Sequence, residues 1–547
     1  MIRYEIQVEP FGSLYIGGYA QALGGSDGDT ASDLLGLLLP GSAVKGALRE
    51  SAVRLVHGAG RGADVLRRLF GAAKDDAGLI RVSTLRPNER AGAGDGTVRN
   101  HVSLERATRQ AAPQRLFQNR VTPALPGLCF RGVVESREPL NEDELGLLSS
   151  AVRITDQIGG GRGRGLGLVS VSLVELTADE TAPGWEVGEE STSLVLSLEA
   201  EEPLHLSGVK DPTNYVTSKD YLDGSTVRGA VAAALGGRPE DPDMEKLLGG
   251  GSPAVFGDGR PGGAGAIPAP MTLQEPKKPG GSLLDIAALL CAEACGGRPG
   301  TRPEDVRTAK GTVVWDGTNW SAMALKRRTV TRTARDHASG RSADRQLFSL
   351  EVLDPVLDDG RRLCFHVPVS GSREQLALVV KAAAGGLVVG GDRSRGFGQL
   401  RLTEVRIEPP LPPLEKRHGS WVELVGRLGV PVPESTGVLL AVGPLAVSHE
   451  RLKKALSDLG LELKEGVARR HAHGGWNAKI HLPRSLSSHY LPGSTFIVQT
   501  GGSSALPALA ELEKGGLGPG RPDGWGRLIA CHPIHVDCFK EESTCPR

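Results

Sequence analysis

Two short segments recur in fixed order along these 547 residues, so the chain is expected to fold as tandem copies of one unit. The first is a turn that opens a helix. It runs Leu39-Pro40-Gly41-Ser42-Ala43-Val44-Lys45-Gly46, then Leu222-Asp223-Gly224-Ser225-Thr226-Val227-Arg228-Gly229, with a reduced form at Leu491-Pro492-Gly493-Ser494. The second is a glycine-rich turn ahead of a strand: Gly163-Arg164-Gly165-Leu166-Gly167, Ser394-Arg395-Gly396-Phe397-Gly398 and Pro522-Asp523-Gly524-Trp525-Gly526. Sequence of period two follows each, as a half-buried strand requires.

A third element appears only in the first two copies. Residues 97–135 and 326–367 each run from a basic segment through a turn to Leu-Phe (Leu116-Phe117 and Leu347-Phe348) and then a strand start. Both read as long hairpins projecting from a sheet. The copies are then residues 1–180, 190–408 and a shorter 415–547. Residues 176–192 form a polar linker, and Glu408-Pro409-Pro410-Leu411-Pro412-Pro413 a stiff spacer. Residues 236–282, rich in Gly and Pro, read as a mobile insertion in the second copy. Strand, turn-helix and closing strands in each copy predict an α+β fold with antiparallel sheets.

A Pro-Gly-Ser turn leaves backbone N–H groups unpaired at the positive end of a helix dipole, which is an anion site. Ser42 and Ser225 are placed as caps or phosphate donors, and Lys45, Arg49 and Arg228 add positive charge within one turn. Plain helix capping is the alternative. The run Gly159 to Gly167 is not a dinucleotide fingerprint, because a strand rather than a helix follows it. Its glycines (Gly165 and Gly167, with Gly396, Gly398, Gly524 and Gly526 in the later copies) let backbone approach a ligand. Arg162, Arg164, Arg393 and Arg395 have the charge and fork geometry that suit phosphates. The hairpins add Arg99, His101, Arg106, Arg109, Arg115 and Arg120, then Lys326, Arg327, Arg328, Arg332, Arg335, Arg341 and Arg345. Together these predict a positive track for single-stranded nucleic acid. Solvated arginines on tight turns and hairpins are the bland alternative.

Asp27, Asp29 and Asp33 crowd the loop before the first Pro-Gly-Ser turn and could hold a divalent metal beside a phosphodiester. Asp-Gly-Asp is also ordinary loop composition. Cys531, His532, His535, Cys538 and Cys545 have metal-capable side chains but no zinc spacing, so free thiols are expected there and at Cys291 and Cys295. With 64 basic and 64 acidic residues, neither a basic coat nor an acidic tail describes the chain, and any nucleic-acid surface must be local. Gly and Pro make up about a fifth of the residues, short of the roughly 25–30 % at which disorder is the default. No apolar run is long enough to span a bilayer and no secretory segment is evident, so a cytoplasmic protein without membrane partners is expected.

The Pro-Gly-Ser turns, the hairpins ending in Leu-Phe and the closing Gly-Arg-Gly-x-Gly loop resemble the RAMP superfamily, RNA-binding subunits of type III CRISPR effector complexes. Copies two and three resemble more particularly the large RAMP subunit of subtype III-D, through Thr217–Gly229, Gly390–Gly398, Gly475–Lys479 and Gly516–Gly526. Copy one resembles a backbone subunit whose thumb is the 97–135 hairpin. The resemblance implies tandem ferredoxin-like, RRM-related cores gripping a CRISPR RNA near its 5′ tag, while base pairing reads a complementary target RNA. Implied partners are the large polymerase-like subunit and backbone RAMP subunits. It also implies an alternative: Mg²⁺ or another divalent cation, with Asp27 (Asp29 or Asp33 in other registers) and His101 as acid or base, cutting target RNA. The family's aspartate loop is shortened here, and copy two lacks an equivalent. A non-catalytic scaffold and a metal-dependent endoribonuclease both remain open at this point.

Overall fold

A computed structural model of the chain describes residues 2–17, 31–33, 36–72, 78–88, 96–105, 107–136, 138–176, 185, 187–188, 192–210, 214–237, 241–249, 251–263, 265–278, 281–298, 302, 304–335, 342–407, 411–477 and 482–539.

In the first repeat, β1 (Ile2–Pro10), α1 (Gly41–Ala59), β2 (Ile80–Val82), the hairpin β3 (Thr97–Leu104) and β4 (Ala111–Val121), β5 (Phe130–Ser136), α2 (Glu142–Ile154) and β6 (Val169–Leu176) follow in order. The second contains β7 (Ser193–Ala200), α3 (Gly224–Ala234), β8 (Val255–Phe256) and α4 (Ala287–Ala294). The hairpin β9 (Arg327–Arg335) and β10 (Ser342–Leu353), then β11 (Cys364–Ser370), α5 (Arg373–Ala384) and β12 (Gln399–Arg406), complete it. The third has α6 (Leu414–Arg427), β13 (Thr436–Ala441), α7 (His449–Asp458), β14 (Leu461–Val467), the hairpin β15 (Arg470–Asn477) and β16 (Leu482–Tyr490), β17 (Thr495–Thr500), α8 (Leu506–Gly515) and β18 (Leu528–Ala530).

The three sheets share one topology: β2-β5-β1-β6, β8-β11-β7-β12 and β14-β17-β13-β18, antiparallel throughout. This is the ferredoxin-like βαββαβ order, with a hairpin inserted between the second and third strands. Alternation drives it: Tyr4, Ile6 and Val8 of β1 are buried on one face, whereas Glu5 and Gln7 are less so. The cores are aliphatic, with few rings among many Leu, Val and Ala side chains.

Three expectations are corrected here. Leu491-Pro492-Gly493-Ser494 opens no helix: Gly493 has φ +89°, Ser494 N–H donates back to Leu491 O (3.1 Å), and the run Thr-Phe-Ile-Val that follows suits strand β17. The third repeat's helix starts instead at Ser448, whose hydroxyl accepts from Arg451 N–H (3.2 Å). The third repeat also has its own hairpin, β15–β16, at the thumb position. Finally, much of 236–282 is built structure. Phe256 joins the second core, while Ile267, Ala269 and Leu273 pack with Leu440, Ile534 and Cys538 of the third repeat. Just beyond the insertion, α4 lies inside the third repeat's core beside Trp421, its apolar surface covered by a neighbour that local composition does not reveal.

Candidate nucleic-acid interface

The glycine turn is built identically three times. A residue with positive φ (Gly161, +71°; Asp392, +55°; Gly520, +89°) starts a single 3₁₀ turn, Arg162–Arg164, Arg393–Arg395 or Arg521–Asp523. Gly165, Gly396 and Gly524 close it at φ +78°, +80° and +75°. Gly167, Gly398 and Gly526 then donate to Ser13 O (2.9 Å), Pro203 O (3.0 Å) and Pro444 O (2.8 Å), just beyond each repeat's first strand. Only glycine fits that last position: a Cβ on Gly398 would lie 2.1 Å from Val389 O, and one on Gly526 2.3 Å from Leu517 O.

In repeats 2 and 3 these turns sit on the repeat before them. A Cβ built on Gly396 would lie 3.0 Å from Gly41 N, at the start of α1. Thr84 Oγ1 donates to Gly396 O (3.4 Å) and Arg81 Nε to Arg393 O (3.0 Å). Likewise Gly524 abuts Phe256 O, and Gly224 at the start of α3 abuts Asp523 O. Arg228 donates to Asp523 Oδ1 at 2.8 Å across this second joint. The Pro-Gly-Ser and Asp-Gly-Ser helix starts are therefore joints between repeats. The anion position at α3 is filled by the protein's own carboxylate: Gly224 N–H donates to Asp258 Oδ1 (3.1 Å).

Several expected RNA contacts are redirected as a result. Lys45 is buried and its Nζ donates to Ile80 O (2.7 Å). At the first joint Lys45 stands where Arg228 does in the second, and Arg395 where Asp523 does; the two are of like charge, so they do not repeat the Arg228–Asp523 pair. Arg228 is engaged by Asp523, while Ser42, Arg49 and Ser225 are half-buried. Arg328 pairs with Asp354 (3.2 Å) and donates to Ser32 O (3.3 Å), Arg327 pairs with Glu351 (3.3 Å), and Lys326 with Asp358 (3.4 Å). The base of the second thumb is thus knit into protein. Asp27, Asp29, Arg106, Arg341 and Cys545 lie outside the described residues, as do the side chains of Asp33, Arg115, Arg332, Arg335 and Arg345 and most of Gly475–Lys479. Asp33 itself is in a two-residue strand paired with Gly36.

What remains in one place is a cleft of about 540 Å³ in repeat 1, lined by Tyr15, His101, Asn119, Gly161, Arg162, Gly163, Arg164 and Leu166. It lies between the glycine turn and the base of the β3–β4 hairpin, where Arg99 stands opposite Asn119 and donates to Ser13 Oγ (2.8 Å). Arg162 is held by Glu50 (2.8 Å) and Gly159 O (3.1 Å), and Arg164 is exposed. A cationic fork, an imidazole, an amide and a phenol ring at the mouth suit phosphate and base contacts together. Sequence reasoning missed Tyr15 and Asn119; the strand pairing of the hairpin and the carbonyl of Tyr15 under Gly160 (2.7 Å) bring them in. In repeat 2, the Arg395 guanidinium stays half-exposed against Asp392 (3.2 Å) although its turn is seated.

Asp258 is fully buried, and burial pushes its pKa up to about 7, against the pull of Arg260 (3.5 Å) and the Gly224 N–H. Asp223, Lys219 and Tyr221 also face it. An acid whose folded pKa is raised contributes stability below its unfolded value, and that contribution is lost as pH climbs through the folded one. Relative to Asp258→Asn, the wild type is therefore expected to lose on the order of 2–4 kcal/mol between pH 4 and 8, measurable by urea unfolding across that range. For the second joint, Arg228→Ala is expected to cost about 1.5–3 kcal/mol, the range for a partly buried charge-assisted bond, and Asp523→Ala a similar amount. A double-mutant cycle showing no coupling would refute that pairing.

Among the described residues, no group of three or more His, Cys, Asp or Glu is placed to hold a metal ion, and no helix is long and apolar enough to cross a membrane. Cys291, Cys295, Cys531 and Cys538 are buried, and His535 bonds Asp285 (3.2 Å), so these side chains belong to the packing around the third repeat.

No curated protein matches the chain. Among solved structures, a chain of the apo type III-B Cmr-beta complex aligns at 12 % identity and TM-score 0.26, covering 31 % of this chain and 97 % of that one. A chain of Cmr-beta bound to cognate target RNA and AMPPnP aligns at 14 % identity and TM-score 0.34, covering 56 % and 86 %. Three copies of one βαββαβ sheet, each closed by the same glycine turn, agree with the comparison by sequence: the RAMP superfamily model matches residues 37–170 and 197–401, and the chain belongs to that superfamily.

Proposed function

We propose that this chain is an RNA-binding subunit of a type III CRISPR ribonucleoprotein, holding the backbone of a CRISPR RNA while base pairing reads the complementary target. The observation that carries the reading is the repeat 1 cleft, where Arg162, Arg164, His101 and Asn119 converge between the glycine turn and the thumb base. Membership of the superfamily supports it. The order of repeats fits a backbone-like first copy fused to a large subunit of the III-D kind, placed near the 5′ tag and beside the polymerase-like subunit. In this scaffold reading Asp27→Ala leaves every activity intact, whereas loss of target cleavage with unchanged RNA binding would favour a metal-dependent endoribonuclease.

The test is equilibrium binding of a single-stranded RNA by the full chain at several salt concentrations. Arg162→Ala with Arg164→Ala is expected to weaken binding and to lower the salt slope by about one to two, roughly one for each phosphate no longer neutralised. An unchanged slope and affinity would remove the cleft from the RNA path.

A further inference from the structure

Between α3 and β9, repeat 2 carries a small sheet of its own, apart from the three repeat sheets. In it the strand Thr312–Trp315 pairs antiparallel with Ile267–Pro268 on one side and with Trp320–Ala322 on the other. Val313 is fully buried in a cluster with Ile267 and Leu440, so the sheet is anchored on repeat 3. Its tip is left open. Trp315 and Trp320 stand directly opposite each other across the strand pair with ring centroids 5.5 Å apart, and Trp315 is 45 % exposed. Among the tryptophans whose side chains are described, it alone is exposed. We infer that this tip is a docking ledge for an arginine-bearing segment of a partner protein. It is not a joint of the kind that seats one repeat on another, because it lies outside all three repeat sheets. Nor does it rest on the RNA-binding proposal.

The ledge is held stiffly. Trp320 packs edge-on against the buried His532 (5.5 Å, 63°), and its indole N–H donates to Asp537 Oδ2 (3.0 Å). Asp316 N–H donates to Asn319 O (3.1 Å) and closes the turn that joins the strands. Asp316 Oδ1 accepts from Thr318 N–H (2.8 Å), Asn319 N–H (2.7 Å) and the Thr318 hydroxyl (2.8 Å). Trp315 is thus the outer ring of a stack whose inner rings are fixed. A single exposed apolar residue is ordinary. A tryptophan already immobilised on another is a contact surface that loses little conformational entropy when covered.

Charge selects the occupant. From Thr312 to Ala322 the one charged side chain is Asp316, and from Pro533 to Phe539 the one exposed charge is Asp537. Hydrogen bonds from Asn319 N–H and from Thr318 hold the Asp316 carboxyl below its ordinary range. Burial, helped by His535 and Arg417, pushes the His532 pKa down to about 3, so the ring behind Trp320 is neutral near pH 7. The ledge is therefore aromatic and anionic, the opposite of the cationic cleft in repeat 1. A guanidinium satisfies both features: it stacks on an indole face, the best ring for a cation, and its fork reaches a carboxylate. A stacked nucleobase would bring its phosphate beside Asp316 and Asp537, where like charges repel.

The probe is the peptide Gly-Arg-Gly-Arg-Gly, titrated to about 10 mM into the full chain labelled with 5-fluorotryptophan and followed by fluorine NMR. Trp315→Phe and Trp320→Phe assign the two signals. Saturable shifts of both are expected. The same peptide with citrulline for arginine, neutral but of the same shape, is expected to bind about fivefold more weakly or worse. Followed at the Trp320 signal, affinity is expected to fall in the order Trp315, Trp315→Phe, Trp315→Ala, a grading that a folding defect does not produce. No saturable shift, equal affinity for the citrulline peptide, or a Trp320 signal that responds unchanged in Trp315→Ala overturns the inference. So does a shift caused by an oligouridylate and not by the arginine peptide, which would make the tip a base-stacking site.

Discussion

Gly224→Ala is expected to destabilise the protein by about 3 kcal/mol or more, the upper end of overpacking costs, although alanine is intrinsically the better helix former. The added Cβ would lie 2.0 Å from Phe256 O and 2.6 Å from Asp523 O. Both are backbone atoms, one in the strand beside the helix and one in the next repeat, so neither can rotate away. Gly229→Ala, five residues on in the same helix, meets nothing within 4 Å. It is expected to be neutral or to stabilise by up to about 1 kcal/mol. Chemical denaturation of the pair is the check. Equal effects from the two substitutions would mean that the Gly224 start is not a packed joint.

Arg81→Ala is expected to cost about 3–5 kcal/mol, as removal of one partner from a buried ion network does. Arg81 sits on β2 facing the second repeat, with Glu135 at 3.1 Å and Glu202 in contact, all three nearly buried. It also donates to Gln399 Oε1 (2.7 Å) and Arg393 O (3.0 Å), while Glu202 accepts from Thr84 N–H (2.8 Å) and Gln399 N–H (3.2 Å). Without the guanidinium, two carboxylates remain in a low-dielectric seam. The double variant Arg81→Ala/Glu202→Gln is expected to recover part of the loss, because one unpaired charge has gone. A purely additive cycle by thermal unfolding would show that the two residues do not share a seam.

The α+β architecture was legible because period-two strands and recurring glycine turns are local signals. The third helix start was misread because Leu491-Pro492-Gly493-Ser494 shares letters with Leu39-Pro40-Gly41-Ser42 yet precedes β-branched and aromatic residues, and the latter decide the structure. The insertion was misread because Gly and Pro density says little about short strands whose apolar residues are covered by another repeat, as Leu273 is. At the candidate site, charge among glycines singled out Arg162 and Arg164, and both line the cleft. Lys45 and Arg228 were equally good by that rule, but a carbonyl 35 residues away and a carboxylate 295 residues away hold them. Sequence spacing can place a cation on a helix start; it cannot show that another repeat is seated there.

The central claim is that this chain grips a CRISPR RNA through repeat 1. The most direct measurement is ultraviolet crosslinking of the tagged full-length chain inside its native assembly, followed by sequencing of the bound RNA and mapping of the crosslinked peptides. The account predicts RNA of uniform length carrying one common 5′ tag, with crosslinks in residues 97–121 and 159–167. Absence of bound RNA, or RNA of mixed origin crosslinked elsewhere on the chain, would contradict it.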